Sequence, residues 1–224
     1  MSSFVRPEQN ETAIYDSIVV SYAAAKTNPF KLYVEEPSFL LALGDISNQN
    51  ILDLACGSGH YSRLFKKLGA AEVQGVDVSA SMIEEGRRIE SDAPLGITYT
   101  VHDLSRRSSQ ASLAPMVDVV TAAFLLPYAS DTASLHSFCK AAADSLSSGG
   151  RFVGITMLYS EIFETSNLSL HSSKLCWGVK WSSAPASGFP LLVEMTLLNQ
   201  AKTQRVSFPN YLWSKADTEA GEGV

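Results

Sequence analysis

The sequence predicts a doubly wound α/β fold on a mostly parallel sheet, with an atypical, shortened antiparallel part at its C-terminal end. Three observations carry this. Between residues 51 and 157, short continuous apolar runs alternate with stretches of helical periodicity, the pattern of βαβ units whose strands are covered on both faces. The first apolar run leads directly into a glycine loop, Ala55-Cys-Gly-Ser-Gly59, followed by a helical stretch. Beyond Met157 the rhythm changes to β-type runs without clear helices between them.

Taken in order, Ile14, Ile18 and Tyr22, with Tyr15 and Val19 beside them, predict an amphipathic N-terminal helix. The five core strands are expected at Ile51–Ala55, Glu72–Val76, Ile97–Val101, Val117–Ala122 and Arg151–Met157. A helix ending near Leu68 follows the glycine loop. Ser81-Met-Ile-Glu84 has the form of a capping box opening a helix to about Ser91. Asp131 can cap another, in which Leu135, Phe138, Cys139, Ala142 and Leu146 recur at helical spacing, and Gly149-Gly150 supplies its left-handed stop. In the tail, Lys174–Trp181, Leu191–Leu198 and Gln204–Trp213 read as strands of antiparallel hairpins, with a turn at Ala184-Pro-Ala-Ser-Gly188.

Composition bounds what such a chain does. Of 224 residues 46% are hydrophobic and 18% charged, which excludes a disordered chain and fits one domain over 1–224. The division expected within it is an N-terminal helical lid at 1–45, a cofactor-binding core at 46–157 and a hairpin-like tail at 158–224. A formal charge of −6, with basic residues only in pairs such as Lys66-Lys67, Arg87-Arg88 and Arg106-Arg107, argues against nucleic acid as partner. The first residues show no apolar leader and no run is long enough to span a membrane, so a soluble, cytoplasmic protein is expected. Cys56, Cys139 and Cys176 have neither metal-ligand spacing nor an even count for disulfides, so no metal is expected.

The glycine loop carries the chemistry. Glycines there let a ligand approach the backbone, and the N–H groups opening the next helix favour an electron-rich group. Asp77, eighteen residues past Gly59 at the end of the second strand, stands where a carboxylate can accept from both hydroxyls of a ribose. Two nucleoside cofactors use this geometry. A dinucleotide fingerprint needs a third glycine, where Gly57-Ser-Gly59-His-Tyr-Ser62 has Ser62, so a nicotinamide-dependent oxidoreductase is the weaker reading.

Asp53-x-Ala55-x-Gly57-x-Gly59 instead resembles the acidic-x-Gly-x-Gly-x-Gly signature of class I S-adenosylmethionine-dependent methyltransferases, with Ala55 in place of the first glycine. The likeness extends to Gly75-Val-Asp-Val-Ser79 with Met82, to His102-Asp-Leu104, to the run from Val117 to Tyr128, and to Leu146-Ser-Ser-Gly-Gly-Arg-Phe152. Within the family, the segment Tyr33 to Phe39, the glycine loop and Phe124-Leu-Leu-x-Tyr-Ala129 look most like the small-molecule methyltransferases grouped with the toxoflavin-biosynthesis enzyme. The resemblance implies a Rossmann-like fold and S-adenosyl-L-methionine as cofactor, with S-adenosyl-L-homocysteine as product. It implies that Asp53 orients the loop and the methionine amino group. Ala55, Cys56, Gly57 and Gly59 would lie against the methionine part, and Asp77 would hold the ribose. Val78 and Met82 would pack on the adenine, Asp103 would accept from its amine, and the Leu104 N–H would reach a ring nitrogen beside His102. Ala122 and Ala123 would present carbonyls near the amino group, next to Phe124, while Tyr22, with Tyr15 and Phe30, would close over the cofactor.

Methyl transfer from a sulfonium needs mainly alignment in a dry site, so a general base is optional, and the catalytic candidates are only His60, His102 and Tyr128. The fourth strand ends Thr121-Ala-Ala-Phe-Leu125 and lacks the Asn-Pro-Pro-aromatic run of amino-methyltransferases that act on nucleobases or glutamine. The expected acceptor is a small organic molecule methylated on N, O or C in specialised metabolism, bounded by Phe124, Tyr128 and a tail that holds Trp177, Trp181 and Trp213. The family usually completes its sheet with a helix and an antiparallel pair. Here these are expected to be absent or replaced by hairpins, leaving an edge for the hairpins or for a second copy in a homodimer, and leaving open a cofactor-binding partner protein that methylates nothing.

Overall fold

The computed structural model describes residues 31–105, 113, 116–157, 170–172, 177–180, 187–199 and 202–222. Its first sheet comprises β1 (Asn50–Leu54), β2 (Glu72–Asp77), β3 (Ile97–Val101), β4 (Val117–Ala123) and β5 (Leu146–Ile155). All pairs are parallel and the order is β3-β2-β1-β4-β5, so the chain reverses its direction of growth between β1 and β4. The helices are α1 (Glu36–Leu43), preceded by one π-helical turn at Lys31–Glu35, then α2 (His60–Lys67), α3 (Ala80–Asp92), α4 (Thr132–Ser145) and α5 (Lys215–Glu222).

Strand side chains alternate between two cores. Leu52, Leu54, Val76, Val120 and Ala122 face Leu135, Phe138 and Ala142 of α4, while Ile51, Val73, Tyr99 and Val119 face Phe39, Leu43, Phe65 and Ile83 of α1, α2 and α3. Burial on both faces is why the central strands read as mostly apolar runs. Lateral register matters most on the second face, where Tyr99, Gly75, Asp53 and Thr121 stand side by side across β3, β2, β1 and β4.

Two helix boundaries differ from expectation. The cap of α3 is Ser79, whose Oγ accepts from the Met82 N–H at 3.2 Å, and not Ser81. Asp77 dictates this by accepting the Ser79 N–H at 2.9 Å, which turns the chain as soon as β2 ends. Asp131 does cap α4, accepting from Ser134 N at 2.7 Å within a reciprocal capping box. That helix stops at Ser145, before the glycines, because Ser147 Oγ donates to Val117 O at 2.9 Å and draws the chain onto the sheet edge early.

The tail forms a second, antiparallel sheet in the order β6-β7-β8-β9, from Leu170–Ser172, Trp177–Lys180, Phe189–Asn199 and Lys202–Leu212. Its long hairpin runs in continuous register from Phe189↔Leu212 to Asn199↔Lys202. Gly188, at φ +76°, closes the preceding turn by donating its N–H to Leu212 O at 2.7 Å. Most of the expected Ala184–Gly188 turn lies outside the described residues. The expectation that no final helix survives is corrected: Lys215–Glu222 is helical and packs on α4, its start held by Ser214, whose Oγ bonds Asp217 in both directions. Among the described residues no tail strand pairs with β5.

Candidate functional site

The carboxyl ends of β1 to β4 converge, and main-chain bonds tie their loops together. After Leu54 the chain turns sharply, with Ala55 at φ +55°, Gly57 at +56° and Gly59 at +82°. Two of these positions are glycine because a left-handed backbone costs an L-residue roughly 1–2 kcal/mol; Ala55 tolerates that cost at the first position. Cys56 N donates to Val76 O at 3.0 Å and Gly59 N to Cys56 O at 3.0 Å, closing the loop against β2 and onto itself.

Asp77, half-buried at the end of β2, is fixed from both sides. Its Oδ2 accepts the Gly57 N–H at 2.8 Å and its Oδ1 the Ser79 N–H at 2.9 Å, while its carbonyl accepts from His102 N at 2.8 Å. Each carboxylate oxygen carries two lone pairs, so this arrangement still accommodates hydroxyl donors. Beside it Val78 and Val101 are 45% and 44% exposed, an apolar surface flanking a polar carboxylate, while Met82 is buried beneath at 2%. Asp103 is half-buried and its Oδ1 takes both the N–H and the hydroxyl of Ser105, at 2.9 and 2.6 Å. Leu104 is buried next to it.

Asp53 lies deeper, 1% exposed. Its two oxygens accept from Ser62 Oγ at 2.5 Å and Thr121 Oγ1 at 3.0 Å, joining β1 to the first turn of α2 and to β4. This is a loop-orienting geometry, and Ser62, at the third-glycine position of the dinucleotide pattern, is the residue that makes it. Sequence reading used Ser62 only to set aside a nicotinamide cofactor. Its spacing of nine residues from Asp53, one strand and one loop away, was the available signal.

At the end of β4, Ala122 and Ala123 lead into Phe124, whose φ is +65°. A bulky residue there is strained, and the strain is held because Phe124 N donates to Ile155 O at 2.8 Å. The following turn, Leu126–Tyr128, carries Tyr128 half-buried. The tail docks on this turn: Trp213 Nε1 donates to Ala129 O at 3.1 Å, and the buried Asn210 Nδ2 donates to Pro127 O at 3.4 Å.

The sequence-derived candidates fall along the adjacent ends of β1 to β4, where Leu54 pairs with Ala122. Ala55, Cys56, Gly57, Gly59, Asp77, Val78, His102 and Asp103 share the linked ends of β1, β2 and β3; Ala122, Ala123, Phe124 and Tyr128 extend from β4. His60 is turned to α1, its Nε2 2.9 Å from Glu36 Oε2. Its neighbour Tyr61 donates to Glu35 Oε1 at 2.7 Å, and burial, then that carboxylate, raises its phenol pKa. Tyr15, Tyr22, Phe30 and Trp181 lie outside the described residues. No group of His, Cys, Asp and Glu suited to a metal occurs among those described, and no described helix is long and apolar enough to cross a membrane.

Residues 51–150 match a family described as a methyltransferase domain. An uncharacterized protein of Haemophilus influenzae is 27% identical over 64% of this chain and 58% of its own length. A ubiquinone biosynthesis O-methyltransferase of Coxiella burnetii is 30% identical over 51% of this chain and 45% of its own. The chain thus spans about half the length of the curated relatives it matches. Among solved structures, an S-adenosylmethionine-dependent methyltransferase from Clostridium acetobutylicum superposes with a TM-score of 0.63 at 16% identity, over 94% of this chain and 84% of that one, which shows a shared fold.

Proposed function

We propose, from the methyltransferase domain matched by residues 51–150 on a class I fold, that this chain transfers a methyl group from S-adenosylmethionine to an N, O or C nucleophile of a small organic molecule. The observation that carries the reading is Asp77. Its carboxylate is held by Gly57 and Ser79 N–H groups at the mouth of a left-handed glycine loop, with exposed Val78 and Val101 alongside. These residues fit a nucleoside: a fixed acceptor for ribose hydroxyls, an apolar surface for a base and bare backbone for the methionine part.

The cofactor, when bound, supplies an electrophilic methyl group on a sulfonium. The chain's own residues bind, orient and exclude water. Asp77 would accept from the ribose and Asp103 from the adenine amine, while Asp53 keeps α2 and β4 in place around the loop. The Ala122 and Ala123 carbonyls would serve the amino group. Phe124, held in its strained conformation, and Tyr128 would bound the acceptor side, and the tail docks on the turn that carries Tyr128 through Trp213 and Asn210. Alignment supplies most of the rate, and His60, occupied by Glu36, is not needed as a base. The narrower likeness to the toxoflavin-biosynthesis group points to specialised metabolism and rests on the 33–39, glycine-loop and 124–129 segments.

The β5 edge, which no tail strand pairs among the described residues, favours a second reading in which the chain binds the cofactor without methylating. Calorimetric titration with S-adenosylmethionine and S-adenosylhomocysteine separates these readings. Binding by the wild type, weakened about a hundredfold in Asp77→Ala through loss of charged hydrogen bonds, supports cofactor use. Methylation of an acceptor in a broad screen then selects the enzyme. No binding of either compound, or preferential binding of NAD, refutes the proposal.

A further inference from the structure

Tyr99, on β3, is the centre of an arrangement that the cofactor-site residues do not explain. Three glycines from three elements surround its ring. A Cβ on Gly75, its partner on β2, would stand 2.8 Å from Tyr99 Cδ1; one on Gly86 of α3 would stand 3.5 Å from the same atom. A Cβ on Gly59 would stand 2.0 Å from the Tyr99 hydroxyl oxygen, so that oxygen occupies the space a side chain at Gly59 would take. The ring thus crosses β2 over Gly75, and its tip ends directly beneath the last glycine of the loop. Its base is also fixed, because Arg87 donates both Nε and Nη2 to the Tyr99 carbonyl, at 3.1 and 2.6 Å.

Tyr99 is 3% exposed, yet its hydroxyl has no hydrogen-bond partner among the described residues. Burying a hydroxyl without a partner costs stability, and a phenylalanine would fill the ring space without that cost. We propose that Tyr99 is a positioning residue whose hydroxyl acts as a spacer beneath Gly59, setting the level of the glycine loop and thereby the affinity for cofactor. The Asp53–Ser62 bond ties the first turn of α2 to β1 from the same face, and Tyr99 props Gly59, the residue that caps that helix. The proposal rests on the methyltransferase reading for its ligand, but not for its geometry.

The test is Tyr99→Phe. Titration with S-adenosylhomocysteine is expected to show a dissociation constant raised about tenfold, because loop misplacement of a fraction of an ångström is costly to alignment. Turnover, where an acceptor is available, should show KM for S-adenosylmethionine raised with kcat within about twofold. The melting temperature should stay level or rise. A merely structural tyrosine would show the opposite pattern, a lower melting temperature with unchanged affinity, and that result, or affinity equal to wild type, overturns the proposal. If the wild type itself binds neither compound, the methyltransferase reading fails and hydrogen exchange decides for Tyr99. Faster exchange of the Gly57 and Gly59 amides in Tyr99→Phe supports the spacer, and unchanged rates overturn it. Tyr99→Leu, whose shorter side chain also leaves the space beneath Gly59 empty, should raise the dissociation constant and speed Gly59 exchange likewise, and keeps the question decidable should Tyr99→Phe fail to fold; wild-type values for both overturn the spacer.

Discussion

Ser62→Ala removes one hydroxyl from the interior and measures how much the Asp53 anchor is worth. Ser62 is fully buried, and its Oγ donates to Asp53 Oδ2 at 2.5 Å while Asp53 is itself 1% exposed. A hydrogen bond to a charged group contributes about 1.5–3 kcal/mol, and burial keeps water from replacing the lost donor. The bond to Thr121 is longer, at 3.0 Å, so the same carboxylate should lose less in Thr121→Val. At about 2 kcal/mol, and with a shift of about 2–4 °C per kcal/mol for a chain of this size, Ser62→Ala should melt about 4–8 °C lower. Urea denaturation gives the cleaner number, expected as a lower midpoint at unchanged slope. The same substitution in an Asp53→Ala background should cost far less, since the partner is gone. Equal losses in both backgrounds, or an unchanged midpoint, would refute the anchor.

Two further outcomes are expected. Val78→Asp places a carboxylate on the exposed apolar surface beside Asp77; cofactor affinity should fall about tenfold or more by calorimetry, through like charge and a lost stacking face, while the melting temperature moves little because Val78 is 45% exposed. Asp131→Ala should cost about 1 kcal/mol at neutral pH as the capping box of α4 is lost. The Ser134 hydroxyl, then its N–H, hold the Asp131 carboxyl below the ordinary range, so its contribution is present above the unfolded value of about 3.9 and fades as pH falls through the lower folded value. Wild type and Asp131→Ala should therefore converge in urea midpoint on acidification below about pH 4; a constant difference down to pH 2 would count against the cap.

The parallel core was legible because its central strands are covered on both faces and therefore mostly apolar, as in Ile51–Leu54 and Val117–Ala122, where Asp53, Asp118 and Thr121 are the polar interruptions. Asp77 was legible for a related reason, since strand and helix lengths fix its distance from the glycine loop. What escaped was lateral. Tyr99, Gly75, Asp53 and Thr121 form one row across four strands, yet they are far apart in sequence and no local period connects them. Ser79 escaped because the Asp77 carboxylate, serving the turn as well as the site, starts α3 early. The second sheet was foreseen as hairpins, but the final helix was not: Lys215–Glu222 is polar along its length and is held chiefly by Ser214 and Asp217 at its start.

The tail grips the turn after β4 through its main chain. Asn210 and Trp213 both donate to backbone carbonyls, those of Pro127 and Ala129, and neither bond depends on which side chain lies between. A grip of this kind is blind to sequence. The two bonds themselves therefore do not depend on the side chain at position 128, which reaches the tail instead through the apolar cluster that holds Trp213 and Tyr211.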